Sequence, residues 1–390
     1  MSYRIRTFNT ISDRGLGRFD PAQYTVGPEV DAPHAYVLRS HKLHGAEFPD
    51  SLLAVARAGA GYNNIPVDEL TRLGVVVFNT PGANANAVKE LVAAGLFLSA
   101  RGIFGGIRYV QSLADVNDPA ELSKRLEQEK KRFAGTEVAG KTLGVIGLGA
   151  IGSMVANMAL ELGMRVIGFD PAISVEAAWR LSSRVEKVDS LQTLLGEVDY
   201  LTVHVPANEH TRGLLNDELL AAVKPGARLL NFAREQVVEE AAVIAALDSG
   251  RLSRYVTDFP SPGLFGRDDT LLLPHIGAST REAEENCAVM AADQLMEYLA
   301  DGNIVNSVNF PSTRMPRNGG SRITFCNENV PRVLGSVLSV LADRDINVID
   351  MVNRSRGDIA YNIIDVETEP DPDTLQAIRA AEGVIRLRQV

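Results

Sequence analysis

The chain has 390 residues, too many for one ordinary core, so two or three domains are expected. Its net charge of −10 argues against non-specific nucleic-acid binding, which depends on Lys and Arg, and its 45% apolar and 23% charged residues argue against disorder. Two cysteines, Cys287 and Cys326, form no CxxC pair, and no run approaches the roughly 20 apolar residues of a membrane span. The opening residues Met1 to Thr7 lack the apolar core of a signal peptide. A reducing, cytoplasmic setting is expected, with no metal site and no membrane or nucleic-acid partner.

The first hundred residues alternate short apolar runs with helical ones. Ala35 to Leu38 and Val75 to Phe78 read as strands, and Leu52 to Arg57 ends in another. Asp68 to Leu73 reads as a helix that stops at Gly74. Such alternation implies a parallel sheet with helices on its faces. One long helical stretch is predicted from Val88 to Leu113, followed by a charged, helix-favouring segment from Pro119 to Arg132. Strands are then predicted at Leu143 to Ile146, Arg165 to Phe169, Tyr200 to Val203, Arg228 to Asn231, Tyr255 to Thr257 and Thr270 to Leu273. This is the pattern of a doubly wound domain. Thr280 to Leu299 reads as one helix, ended by Asp301-Gly302. Residues Pro311 to Ser321, with two prolines and two glycines, read as a linker. Beyond it, strand Arg322 to Cys326, helix Arg332 to Arg344, strands Asn347 to Val352 and Ile359 to Val366, helix Asp373 to Ala381 and strand Val384 to Leu387 follow a βαββαβ order. That order describes a small, ferredoxin-like domain.

The predicted fold class is therefore α/β, with two doubly wound, Rossmann-like domains and a C-terminal βαββαβ domain.

The strand ending at Ile146 runs into Gly147-x-Gly149-x-x-Gly152, and a helix follows from Ser153 to Leu162. The first glycine permits a tight turn, the second lets backbone approach a pyrophosphate, and the third lets helix and strand pack closely. The helix N-terminus offers free N–H groups and a partial positive charge to phosphates. Asp170 ends the next strand, where a carboxylate can bind the adenosine ribose hydroxyls and repel a 2′-phosphate. NAD is therefore the expected dinucleotide, rather than NADP.

Two strand ends carry candidate chemistry. His275 follows a buried strand and Pro274, where ligands bind in open α/β sheets, and is the candidate general base. Arg234 follows the strand ending at Asn231 and can hold a carboxylate bidentately; the competing reading is an ion pair with Glu235 or Glu239. His204-Val205-Pro206 ends a third strand and either lines the cofactor cleft or simply caps that strand.

These residues resemble the D-isomer-specific 2-hydroxyacid dehydrogenases. The resemblance is carried by Leu38-Arg39-Ser40, the stretch Arg57 to Ile65, Asn79 to Gly82, the glycine turn, His204 to Pro206, Asn231 to Arg234 and Pro274 to Thr280. It implies that His275 acts as base in oxidation and that Arg234 holds the substrate carboxylate and carbonyl. It further implies that main chain at Ala60 and Gly61 helps bind the carboxylate, and that Arg39, Lys42 and Arg57 meet a phosphate on a small phosphorylated 2-hydroxy acid. Cofactor contacts are implied at Ala150, Ile151, Asp170, Phe232, Ala233, Asp258, Gly277 and Ala278. The implied domains are a discontinuous substrate domain (1–100 and 282–310), an NAD-binding domain (101–281), a linker (311–321) and a regulatory domain (322–390). That last domain resembles an ACT module, which pairs across subunits. It implies a homodimer or homotetramer and an L-serine effector at Asn327, Asn329 and Asn347.

Three departures stand out. The family places a glutamate shortly after the Asp258 position to hydrogen-bond the histidine, and the segment Asp258 to Gly263 has none. Asp258, Asp268 and Asp269 are the candidate substitutes, and Asp258, which alone sits at a strand end, is the provisional one. Glu235 follows Arg234 where glycine is usual, and Arg332 follows Pro331 where the ACT loop usually has glycine. The alternatives are a dehydrogenase of the 2-hydroxyglutarate or glycerate type, and an NAD-binding sensor without turnover.

Overall fold

The computed structural model describes residues 2–390. It divides into two compact units, one built from the chain up to Asn84 together with Arg281–Val390, the other from Ala85–Thr280. No single helix among the described residues is long and apolar enough to cross a membrane.

In the first unit, strands β1 (Tyr3–Thr7), β2 (Tyr24–Gly27), β3 (Ala35–Leu38), β4 (Ala54–Arg57) and β5 (Val76–Phe78) form a parallel sheet in the order β2-β1-β3-β4-β5. All four residues of β3 are buried, as expected where helices cover both faces of a parallel sheet. The helix Arg281–Asp301 lays Cys287, Ala288, Ala291, Ala292, Leu295 and Leu299 into the same core as Ile5, Val37, Ala54 and Phe78. Strands β1 and β2 escape sequence reading because the run Tyr3 to Thr7 alternates apolar residues with arginines.

The second unit holds β6 (Thr142–Ile146), β7 (Arg165–Phe169), β8 (Glu186–Lys187), β9 (Tyr200–Val203), β10 (Ala227–Asn231), β11 (Leu252–Thr257) and β12 (Thr270–Leu272). Their order is β12-β11-β10-β9-β6-β7-β8, all parallel. The order reverses between β6 and β9, the place where doubly wound sheets bind ligands beyond their strand ends.

The helical stretch predicted as one piece from Val88 to Leu113 is two helices, Ala85–Ala100 and Ile103–Ser112, bent by 70°. The break has a local cause. The Ala100 carbonyl is taken by the Thr136 N–H at 3.0 Å, and a Cβ at Gly102 would lie 2.8 Å from Phe133 Cα. The first of these helices belongs to the second unit, not to the substrate domain drawn through residue 100. Its Val88, Val92 and Leu96 pack with Val145, Val155 and Leu230.

The C-terminal strands β13 (Ser321–Glu328), β14 (Val348–Arg356), β15 (Ile359–Val366) and β16 (Val384–Gln389) form an antiparallel sheet in the order β14-β15-β13-β16. The helices Val333–Ala342 and Pro372–Arg379 complete the βαββαβ pattern. This sheet lies in the first unit and shares its core through Cys326, Tyr361 and Ile363. Arg388 of β16 is buried 4.5 Å from the Tyr298 ring centre and donates to the carbonyls of Tyr298 and Leu299 at 3.2 and 3.0 Å.

Residues 311–321, predicted as a linker, are not a free tether. Ile304 and Thr313 form a β-bridge, and Met315 is buried. Arg322, also fully buried, donates to the carbonyls of Asp301, Met315 and Pro316 and pairs with Asp365 at 2.6 and 2.8 Å. The prolines and glycines shape this path, and Arg322 satisfies the carbonyls that a solvated linker would leave to water.

Removing one partner of a buried pair strands the other charge. Asp365→Ala is therefore expected to cost about 3–5 kcal/mol, read as a lowered urea midpoint, whereas the apolar pair Arg322→Met with Asp365→Leu should recover much of the loss.

Candidate functional site

The glycine turn at the end of β6 is set by close contacts. Gly147 has φ +85°, and a Cβ there would lie 2.8 Å from both the His204 carbonyl oxygen and Val205 Cγ1. A Cβ at Gly152 would overlap the Gly147 carbonyl oxygen. Gly149 differs: it is exposed, and its Cβ would meet nothing within 4 Å. The first and third glycines are thus demanded by the protein's own backbone, whereas the second faces open space where a pyrophosphate can approach. The helix Ala150–Glu161 begins there, and no side chain caps its N-terminus. Its first N–H groups, at Ala150 and Ile151, remain for an anion. Asp170 is fixed by the Leu148 and Ala172 N–H groups at 2.8 and 2.9 Å. His204 Nε2 lies 3.0 Å from Thr202 Oγ1, while its buried Nδ1 has no partner among the described residues. Burial pushes this imidazole down to about 3, so it is neutral at neutral pH. Open space at Gly149, an uncapped helix and an orphaned buried nitrogen beside the turn all fit a bound dinucleotide.

Beyond β10, Asn231 is wholly buried and organises the turn. It accepts from the Ala233 N–H at 3.1 Å and donates to the Arg234 carbonyl at 3.0 Å. Phe232 is buried, with its ring against Gly95, so its main chain is what remains for a ligand. Arg234 is part-exposed in an extended backbone, and its Nη1 donates to the Ala233 carbonyl at 2.6 Å. Among the described residues its guanidinium forms no ion pair, and Glu235 is exposed, so neither Glu235 nor Glu239 takes the charge.

His275 is exposed and has φ +57°, a conformation that costs a residue other than glycine about 1–3 kcal/mol. Asp258, only 1% exposed, holds the next two residues. Its oxygens accept from the Ile276 and Gly277 N–H groups at 2.8 and 2.6 Å. The provisional reading of Asp258 as the carboxylate on the histidine ring does not match this geometry, because both of its oxygens are engaged by main chain. Gly277 is buried and Ala278 part-exposed beside this clamp, and Val205 and Pro206 follow β9.

In the first unit, loops after β3 and β4 gather the basic residues. Arg57 Nε donates to Asn64 Oδ1 at 3.1 Å, and Asn64 donates in turn to the carbonyls of Arg39 and His41 at 3.3 and 2.7 Å. The Arg57 guanidinium lies where a Gly59 side chain would stand. Asn79 fixes the Ala60 carbonyl at 2.6 Å, leading into Gly61. Lys42 is exposed, and Arg39 pairs with Glu284 at 2.7 Å. That pair is about 40% exposed at each end, the kind that is worth little and exchanges readily.

The three effector candidates do not form one surface cluster by side-chain contact. Asn327 is buried and accepts from Asn362 Nδ2 at 2.8 Å, Asn329 donates to the Gly357 carbonyl at 3.0 Å, and Asn347 is exposed. Arg332 takes the glycine-like conformation of the loop it occupies, with φ +81°.

Sequence reading missed Asn64, Asn231 as a pivot, and Phe259, whose ring meets His275. Asn231, at the end of an apolar strand, and Asn64, inside the Arg57 to Ile65 stretch, had a sequence signal, and Phe259 had none.

The family model for the D-isomer specific 2-hydroxyacid dehydrogenase NAD binding domain matches residues 109–277, and the ACT domain model matches residues 321–383. D-3-phosphoglycerate dehydrogenase of Escherichia coli (strain K12) is 32% identical over 353 residues, covering 87% of this chain and 82% of that protein. A putative D-3-phosphoglycerate dehydrogenase of Schizosaccharomyces pombe is 33% identical over 360 residues, covering 85% of this chain and 72% of that one. The apo structure of Rhodotorula graminis D-mandelate dehydrogenase superposes with TM-score 0.65 at 26% identity over 81% of this chain and 100% of its own. The NAD+-bound 3-phosphoglycerate dehydrogenase of Entamoeba histolytica shares the fold, with TM-score 0.61 at 23% identity over 79% of this chain and 99% of its own.

The glycine contacts generate a paired test. Gly149→Val should leave thermal unfolding unchanged while NADH binding falls by about 100-fold or more, because the added carbons occupy the anion's approach. Gly152→Val should lower both binding and stability, because its Cβ overlaps backbone.

The glycine turn, the held acid at Asp170 and the matches over most of the chain agree: the chain belongs to the D-isomer-specific 2-hydroxyacid dehydrogenases, and it carries that family's NAD-binding domain together with an ACT domain.

Proposed function

We propose that this enzyme oxidises 3-phospho-D-glycerate to 3-phosphohydroxypyruvate with NAD, the first step of L-serine biosynthesis. The observation that carries the substrate is the run of relatives named D-3-phosphoglycerate dehydrogenase over most of the chain's length. The basic residues Arg39 and Arg57, joined through Asn64, and the exposed Lys42 support a phosphorylated substrate. In this reading they receive the phosphate, while the main chain at Ala60 and Gly61 and the guanidinium of Arg234, which forms no ion pair among the described residues, receive the carboxylate. His275 takes the proton of the 2-hydroxyl in oxidation and returns it in reduction. Bound NAD supplies the hydride acceptor. Asp258 acts as a positioning residue that holds the backbone flanking His275. The proposed setting is the cytoplasm, and the proposed assembly is a homodimer or homotetramer paired through the ACT domain.

The deciding assay is NADH-linked reduction of 3-phosphohydroxypyruvate beside hydroxypyruvate and 2-oxoglutarate. Preference for the phosphorylated acid supports the proposal; preference for 2-oxoglutarate or the unphosphorylated acid removes it, and no turnover leaves an NAD-binding sensor. His275→Ala should lower kcat by about 100-fold or more with NADH affinity kept, the low end for loss of an acid–base group.

We also propose L-serine as the ACT effector. Inhibition should appear by millimolar serine, and flat activity across that range would set the effector role aside.

A further inference from the structure

An imidazole at an exposed strand end turns about its side-chain bonds unless something fixes it. His275 is so placed, and among the described residues no side chain exchanges a hydrogen bond with its ring. Asp258 is spent on the Ile276 and Gly277 N–H groups. What the imidazole does touch is Phe259. The ring centres lie 5.0 Å apart at 67°, an edge-to-face contact of the favourable kind.

Phe259 is itself held by the strand end. Its N–H donates to Thr257 Oγ1 at 3.1 Å, and that hydroxyl donates to the Asn231 carbonyl at 3.2 Å. Asn231 is the same residue that ties down the Arg234 carbonyl. One short chain of contacts therefore runs from the arginine turn to the histidine ring. Phe259 also lines a cavity of about 250 Å³ with Glu235, Gln236, Tyr255 and Ser261. A smaller or non-aromatic side chain has room there to move off the imidazole.

We propose that Phe259 is a positioning residue that orients His275 through its ring. An aromatic wall fixes the plane of the imidazole without a hydrogen bond, so both ring nitrogens stay available for substrate and solvent. The proposal rests on His275 being the acid–base group.

The test compares Phe259→Leu, which keeps apolar bulk, with Phe259→Tyr, which keeps the ring. Phe259→Leu should lower kcat about tenfold with KM and NADH affinity within about twofold, because misorienting an acid–base group costs turnover more than binding. Phe259→Tyr should stay within about twofold of wild type. Wild-type turnover in Phe259→Leu, or equal losses in both variants, overturns the positioning role. His275→Ala, measured alongside, separates the two readings: turnover kept in that variant removes the acid–base assignment itself, whatever Phe259 does. In the His275→Ala background, Phe259→Leu should add no further loss. A second tenfold drop would overturn the proposal by showing that Phe259 acts elsewhere.

Discussion

The buried carboxylate of Asp258 is the constraint on which the candidate site depends. A charge with 1% exposure is tolerated only when it is fully hydrogen-bonded, and here two main-chain N–H groups meet that demand. These two bonds fix the backbone that follows His275, whose own conformation is strained. The same acid therefore ends β11, shapes the turn after β12, and projects the imidazole outward. Asn231 does the equivalent for β10, with neutral groups, by folding the chain back on itself at Arg234.

Some of this could be read from residues alone. The glycine turn was legible because its demands are steric and local: a backbone that leaves no room for Cβ at two positions admits only glycine. The other strands of the second unit were legible because both faces are covered, which leaves continuous apolar runs, whereas the exposed two-residue β8 was not. Strand β1 and the edge strand β2 were not, since Tyr3–Thr7 alternates apolar residues with two arginines and Tyr24–Gly27 buries only Tyr24. Helix continuity past Ala100 was misread because the competitor for its carbonyl, Thr136, is supplied from a distant part of the chain.

The candidate site residues divide the same way. His275, Arg234 and Asp170 announce themselves by type and place. The use made of Asp258 does not, because a carboxylate in sequence gives no hint whether ring or backbone claims its oxygens. Phe259 carries no sequence signal at all, since its relation to His275 is created by the turn that brings β11 and β12 side by side. The proposed effector residues show the converse. Asn327 matches a binding pattern, yet its side chain is drawn into a buried amide network with Asn362.

The C-terminal sheet has a consequence of another kind. Regulatory modules are commonly thought of as detachable parts, added to or lost from a catalytic body as self-contained cassettes. Here Arg388 covers Tyr298, Tyr361 donates to the Gly302 carbonyl, and Arg386 bonds the carbonyls of Asp50 and Leu52 just ahead of β4. Excising residues 321–390 would lay bare aromatic surface and orphan those carbonyls at once. The module is grafted rather than hitched, and its stability is bound to that of the sheet it shares a core with.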